Sequence, residues 1–362
     1  MRLAELEFDQ IPCWGGDSVQ RAWPAFLASC ECLAHGNPSL RAAVSASLSL
    51  TTVARAALEA GAASDAERFF QIHFQPWLVR PDGETSRGFF TGYYEPEIDG
   101  SPVRTGRFQA PVLSRPTDLQ DMRASNAPGW DHACESARVT PDGRLEPYPD
   151  RRAIEAGRID HVAQPVVWLE DHVEVFFVQV QGSACIRFPD GTRRRLIYSG
   201  RNGQPYSSIG KILIDRREIA PEEMSLDRCK TWLRQHGLET GQPGREVLQS
   251  NRSYIFFRLA EVVNEAAGPI GGQGIALTAG CSIAIDRTVW PYGTPVFVAG
   301  DFSSAGMGRA PLGAMMVAQD TGSAIKGPAR GDLFIGSGHA AGEIAGKIRH
   351  SGDFIAFLPR RS

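Results

Sequence analysis

The feature that most limits what this chain can become is the texture of its last hundred residues. Apolar runs there are short, and glycine-rich turns separate them, at residues 274–285, 294–299, 313–319, 332–335 and 354–358. One helical stretch, 339–348, interrupts them. Strands this short suit a small barrel better than a doubly wound sheet, whose parallel strands need a long crossover between neighbours. The 38 glycines and 24 prolines of the 362-residue chain agree with many turns.

Upstream the pattern changes twice. The first seventy-odd residues read as helical: Asp17 is placed to cap a helix over 19–34, with Pro24 close to its first turn, and 40–60 repeats apolar residues at helical spacing. At Gly88 an aromatic cluster begins, and the proline-rich stretch 96–116 reads as loop or edge strand. Between 101 and 245 the chain reads as β-rich. Strands are expected at 166–169, 173–180, 184–188 and 193–198, the last two joined through Asp190-Gly191, and helices at 222–236 and 245–249. The domain expectation is therefore residues 1–100 with 246–362 as one domain, and 101–245 as a second domain inserted into it.

Composition excludes several classes. Lys and Arg number 38 against 41 Asp and Glu, a net charge of −3, so nucleic-acid binding by phosphate neutralisation has no support. Cys13, Cys30, Cys32, Cys134, Cys185, Cys229 and Cys281 are scattered, with no CxxC and no histidine cluster beside them, so no zinc site is expected. Their odd number leaves the redox compartment open. The opening residues lack an apolar run of secretory-signal length, and no stretch reaches a membrane span. A cytoplasmic chain and one whose export signal has been removed both fit. Nucleotide loops, HExxH and GxSxG are absent, which leaves carboxylates as the candidates for chemistry.

Asp286, Asp320 and Asp332 each stand where an apolar run meets a turn. An aspartate there usually caps backbone amides. Three of them within one glycine-dense block can instead converge at one end of a barrel. Asp332 stands out because Leu333, Phe334 and Ile335 follow it, and apolar walls disfavour a charged carboxylate and raise its pKa, as a general acid requires. Phe89, Phe90, Tyr93 and Tyr94, set around Thr91 and Gly92, are either aromatic core or a stacking surface for sugars. Glu95 and Glu97 read as solvated loop charges. Gln179 and Gln181 fall on one face of the expected strand, where amides bond sugar hydroxyls or simply face water.

Taken in order, GFFTGYYEPEIDGS, VQVQGSACIRFPDG, YSGRNGQPYSSIGKILIDR and AQDTGSAIKGPARGDLFIGSG followed by HAAGEIAGKI resemble the membrane-bound lytic transglycosylase A family of bacterial cell-wall enzymes, over roughly residues 88–350. The resemblance implies a mainly β fold with helices: a double-psi β-barrel built from both ends of the chain, a smaller inserted β-barrel-like domain, and a substrate groove between them. It implies non-hydrolytic cleavage of peptidoglycan between N-acetylmuramic acid and N-acetylglucosamine, leaving a 1,6-anhydro end. The acid/base aspartate then falls on Asp332, its barrel companions on Asp286 and Asp320, and groove contacts on Thr91, Gly92, Tyr94, Gln181 and Tyr206. No metal and no cofactor is implied. Glycan strands are the implied partner, with cell-wall synthesis or division complexes beside them, and the implied location is the periplasm or outer membrane. This sequence departs from the family pattern in carrying Ser207 where a longer basic residue is expected. A hydrolase on the same barrel, with Asp320 activating water, and a non-catalytic wall-binding module are the competing readings.

Overall fold

The computed structural model describes residues 1–81, 87–125, 130, 134–262, 267–305 and 312–360. The chain divides into two compact units, Met1–Glu95 with Asn264–Ser362, and Pro96–Val263.

The first unit opens with β1 (Arg2–Glu5) and three helices, α1 (Asp17–His35), α2 (Leu48–Ala60) and α3 (Ala66–His73), then β2 (Phe74–Arg80) and β3 (Gly88–Glu95). Gly16, not Asp17, holds the cap position of α1; Asp17 is its first helical residue, where its charge meets the positive end of the helix. The helix runs through Pro24 to a left-handed Gly36. It tolerates the lost backbone bond because Trp23 and Phe26 are locked among Phe69, Phe70 and Phe74. The helix expected over 40–60 starts only at Leu48, where the Ser47 side chain accepts the Leu50 N–H. Upstream of it the backbone has other partners: the N–H groups of Arg41 and Val44 donate to the carbonyls of Gly272 and Arg287.

The second unit contains β4 (Glu97–Asp99), β5 (Ala110–Leu113), β6 (Leu119–Ser125), β7 (Cys134–Val139), β8 (Leu145–Pro147), α4 (Arg151–Glu155), β9 (Pro165–Leu169), α5 (His172–Gln181), β10 (Ser183–Arg187), β11 (Arg193–Arg201), α6 (Ile209–Asp215), α7 (Leu226–Gln235), α8 (Pro243–Ser250) and β12 (Ile255–Glu261). Among the described residues its strands form three ladders, β12-β11-β10-β4, β5-β9 and β6-β7-β8. The unit extends past residue 245 because β12 pairs along the length of β11. The strand expected at 173–180 is helix α5. Asp171 accepts the Glu174 N–H at its start and Gly182, at φ +82°, ends it. Val173 and Phe176 pack into one apolar cluster and Val175 and Val178 into another, a helical spacing that the alternation of the sequence conceals.

The chain then completes the first unit with β13 (Ser282–Ala284), β14 (Pro295–Gly300), β15 (Leu312–Asp320), β16 (Arg330–Ser337), α9 (His339–Ala345) and β17 (Arg349–Pro359). Of the apolar run 274–285 only three residues are strand; the rest turns back on itself, with Gly274 at φ +96°. The pairings close: β17 bonds β14, β14 bonds β15, β15 bonds β13, β13 bonds β16, β16 bonds β3, and β3 returns to β17. Side chains alternate across this ring. Phe90, Ile283, Val296, Val298, Met316, Leu333 and Phe354 fill one core cluster. Phe297, Met315, Val317, Ile355 and Phe357 join Trp23, Phe26 and Phe70 of the helices in the other.

One polar chain crosses that second core. Fully buried Gln319 donates to the Ala25 carbonyl at 2.7 Å and to Ser29 Oγ at 2.9 Å, and accepts from Ser282 Oγ at 2.5 Å. It pins α1 to the end of β15, one residue before Asp320. Gln319→Leu would leave the Ser282 hydroxyl proton without its acceptor and take one donor each from Ser29 Oγ and the Ala25 carbonyl, at a cost on the order of 2 kcal/mol. A urea midpoint equal to wild type would refute this role.

Candidate active site

Strand pairing assembles the site. Ala284 is the register partner of both Asp320 and Asp332, Asp332 is also paired with Thr91, and Thr91 with Arg349. Register partners project to the same face of a sheet, so residues from β15, β16 and β3 meet there although they lie far apart in the chain. Period-two alternation adds Tyr93, two residues beyond Thr91, and Arg330, two before Asp332.

Asp332 is part-buried, and its Oδ1 accepts the Thr91 hydroxyl at 2.5 Å. Burial pushes its pKa up to about 6; the Thr91 hydrogen bond and the Arg330 charge pull the other way, and the Asp320 charge adds to the rise. A carboxyl so placed keeps its proton into the mildly acidic range and can then give it up, as a general acid must. Asp320 has its pKa raised by burial. The N–H groups of Thr321 and Gly272, the Tyr93 hydroxyl and the Arg41 charge oppose that rise. Its Oδ1 accepts Gly272 N–H at 2.8 Å and its Oδ2 accepts Tyr93 Oη at 2.9 Å. Burial and the Asp320 charge keep that phenol protonated, so it stays a donor.

Asp286 has a different environment. It is 4% exposed. Its Oδ1 accepts the N–H and hydroxyl of Thr288, and its Oδ2 accepts Gly327 N–H at 2.8 Å. Burial alone would raise its pKa, but these bonds and the nearby Lys326 outweigh it and hold the group below its ordinary value. It is an ionised clasp between two loops, the backbone-capping role an aspartate at such a junction usually has.

The remaining expected residues are placed as follows. A Cβ on Gly92 would lie 2.8 Å from Ile348 Cδ1 and 2.9 Å from Ala345 Cα, so the glycine there makes room for α9. The Tyr94 ring packs on Gly342 of the same helix. Phe90 is core, whereas Phe89 is 41% exposed with the Arg330 guanidinium over its ring. Glu95, expected to be solvated, is fully buried and accepts from Ser337 Oγ at 2.9 Å; Glu97 pairs with Arg193. Gln181 and Tyr206 belong to the second unit, both with side chains open to solvent in part. Because α5 is a helix, Gln179 and Gln181 do not share a face: Gln179 is buried and receives Arg151 Nη2 at 2.6 Å, while Gln181 is the last helical residue. Arg330 and Gly272 were not expected; the period-two spacing from Asp332 is the signal that points to Arg330, and no local signal marks Gly272.

The arrangement, a raised aspartate with a second carboxylate nearby on a closed ring of strands, has the chemistry to give up and take back a proton. Comparison with known proteins specifies the class. Residues 89–258 match the model described as the MltA specific insert domain, and residues 281–358 match the 3D domain. The membrane-bound lytic murein transglycosylase A of Escherichia coli strain K12 is 31% identical over 296 residues, covering 80% of this chain and 71% of that protein. Among solved structures, a membrane-bound lytic murein transglycosylase from Agrobacterium tumefaciens superposes with a TM-score of 0.87 at 34% identity, covering 99% of this chain and 98% of the other. Escherichia coli MltA with bound chitohexaose superposes at 0.70 and 26% identity, covering 100% and 95%. The chain belongs to the membrane-bound lytic murein transglycosylase A family.

The raised pKa carries a stability consequence. The folded state holds the Asp332 proton up to about pH 6, whereas an unfolded aspartate releases it near 3.8. Wild type therefore loses stability as pH rises across that window. Asp332→Asn should match wild type near pH 4 and exceed it above pH 6 by up to about 3 kcal/mol. Denaturant titrations at both ends of the window check this, and a pH-independent difference would contradict it.

Proposed function

We propose that this protein is a peptidoglycan lytic transglycosylase, with Asp332 as its single acid/base. The observation that carries the reading is the Asp332 carboxyl itself, part-buried, raised to about 6, and with one oxygen held by Thr91. The family relatives named for lytic murein transglycosylase activity, and the chitohexaose bound to one of them, support the substrate class.

A hydrolytic glycosidase needs two working carboxyls, one to protonate the leaving oxygen and one to attack or to activate water. In the proposed reaction the muramic acid C6 hydroxyl is the nucleophile, so one carboxyl suffices. Asp332 gives its proton to the departing glycosidic oxygen as the bond to the anomeric carbon breaks. The resulting carboxylate then takes the C6 hydroxyl proton as that oxygen closes on the anomeric carbon, leaving a 1,6-anhydro end and a regenerated acid. The attacking group is tethered in the substrate, an advantage of up to about 7–11 kcal/mol in favourable intramolecular models.

Asp320 fits a supporting role better than the water-activating role of a hydrolase. Both of its oxygens already accept hydrogen bonds, and its negative charge raises Asp332 while offering a counter-charge to the anomeric carbon. Asp286 acts from a distance, by fixing the loop that leads into β16. Thr91, Gly92 and Tyr94 of the first unit, and Gln181 and Tyr206 of the second, are assigned to glycan contacts, Gly92 through its backbone. The closed ring of six strands is read as a double-psi β-barrel, and the cell envelope as the location. No helix among the described residues is long and apolar enough to cross a membrane.

Mass analysis of muropeptides released from purified sacculi tests the assignment. Wild type should release 1,6-anhydro products, one water lighter than hydrolytic ones, and Asp332→Asn should lower release by at least about a hundredfold. Hydrated products from wild type, or undiminished release by the variant, would sink the proposal.

A further inference from the structure

We infer that Arg330 is a positioning residue for the acid: acting through the Thr91 hydroxyl, it determines which oxygen of Asp332 carries the transferable proton. The inference rests on Asp332 being the acid. It starts from the pairing of β16 with β3, where Arg330 is opposite Phe89 and Asp332 opposite Thr91, all four on one face. The Arg330 Nη2 donates to Thr91 Oγ1 at 2.7 Å. Its Nη1 donates to the carbonyls of Phe89, at 3.4 Å, and Gly331, and its Cζ lies 5.2 Å from the centre of the Phe89 ring. The planar fork is thus held on three oxygens and an aromatic face.

A guanidinium has donors only, whereas a hydroxyl has one proton and two lone pairs. With Arg330 directed at a Thr91 lone pair, the single Thr91 proton goes to Asp332 Oδ1 at 2.5 Å. An oxygen that accepts this bond is not the one that bears the acid's own proton. In neutral Asp332 the proton therefore sits on Oδ2. Once it has been given away, the new negative charge on Oδ1 meets the Thr91 proton with the guanidinium behind it. Arginine is suited to this because its charge is permanent and its plane is fixed by several bonds at once.

A purely structural role, fastening β16 to β3, would need the same contacts, so the test must read proton transfer. The charged and titratable groups on the elements around Asp332 are Asp320 on β15, Tyr93, Tyr94 and Glu95 on β3, Arg330 on β16, Arg349, His350 and Asp353 on β17, and His339 and Glu343 on α9. Both the Thr91 bond and the Arg330 charge lower the Asp332 pKa, so removing either raises it. An acid works while protonated, so its activity falls as pH rises through its pKa, and removal of either group should move that basic limb to higher pH.

The experiment follows release of anhydro-muropeptides from sacculi by the full chain across the acid-to-neutral range, with kcat and KM taken separately. Arg330→Met should lower kcat about tenfold to a hundredfold with little change in KM, Thr91→Val should lower kcat by a similar factor, and both should shift the basic limb upward by about one pH unit. Thr91→Ser, which restores the hydroxyl, should return both readouts to wild type. The double variant should be no worse than Thr91→Val alone, because Arg330 acts through that hydroxyl. Should Arg330→Met fail to fold, Arg330→Lys, which keeps the charge without the fork, takes its place with an intermediate kcat and limb expected. An unmoved limb in the folded Arg330 variant, or losses that multiply in the double variant, overturns the inference while an inactive Asp332→Asn leaves the acid assignment standing. An active Asp332→Asn would overturn both.

Discussion

The arrangement of the site depends on one strand having two partners. β3 pairs in parallel with β16 and antiparallel with β17, and that double pairing closes the ring. Without it Thr91 would not stand opposite Asp332, and Phe90 would lose its place among the apolar side chains of the ring's interior, where it stacks on Phe354. Packing reinforces the closure on the face that Phe90 and Gly92 share. Phe90 occupies the inner face, and α9 lies so close to the backbone of β3 that position 92 has no room for a side chain. The strand that holds Thr91 is therefore closely constrained, and a side chain on a strand held by two neighbours is more precisely placed than one on a loop.

Within that frame the three aspartates differ by what surrounds them. Asp286 receives three short-range donors and a lysine, and the low pKa that results makes it a permanent anion. Asp320 is enclosed, but it receives an amide and a phenol, one on each oxygen. Asp332, part-buried, receives the Thr91 hydroxyl and has a like charge nearby, and burial holds its proton up to about pH 6. Differing surroundings push the acidities of neighbouring carboxyls apart, which makes one a better proton donor than another.

Much of this was legible in the sequence where the signal is local. The strand at 166–169, the Asp190-Gly191 hairpin, the short strands of the C-terminal block and the helix after Gly338 follow from turn chemistry and apolar spacing. The failures have local causes too. In 173–180 the β-branched valines alternate like a strand, yet Asp171, Glu174 and Gly182 supply both ends of a helix, and the capping interactions prevail. Residues 40–46 have helical spacing but bond their amides to loops far along the chain. Glu95 looked like a surface charge because its partner, Ser337, is 242 residues away.

By itself the sequence determined that carboxylates stand where apolar runs meet turns, that Asp332 has apolar neighbours, and that the segment after Gly88 joins aromatic and small residues. These are properties of residue type and near spacing. Only the tertiary structure decided that Asp332 meets a hydroxyl 241 residues away, that Asp286 is a clasp and not an acid, and that Arg330 stands behind Thr91. The reason is physical: a pKa and a proton's position depend on which groups lie within a few ångströms, and in a ring closed by strands from both ends of the chain those groups are not neighbours in sequence.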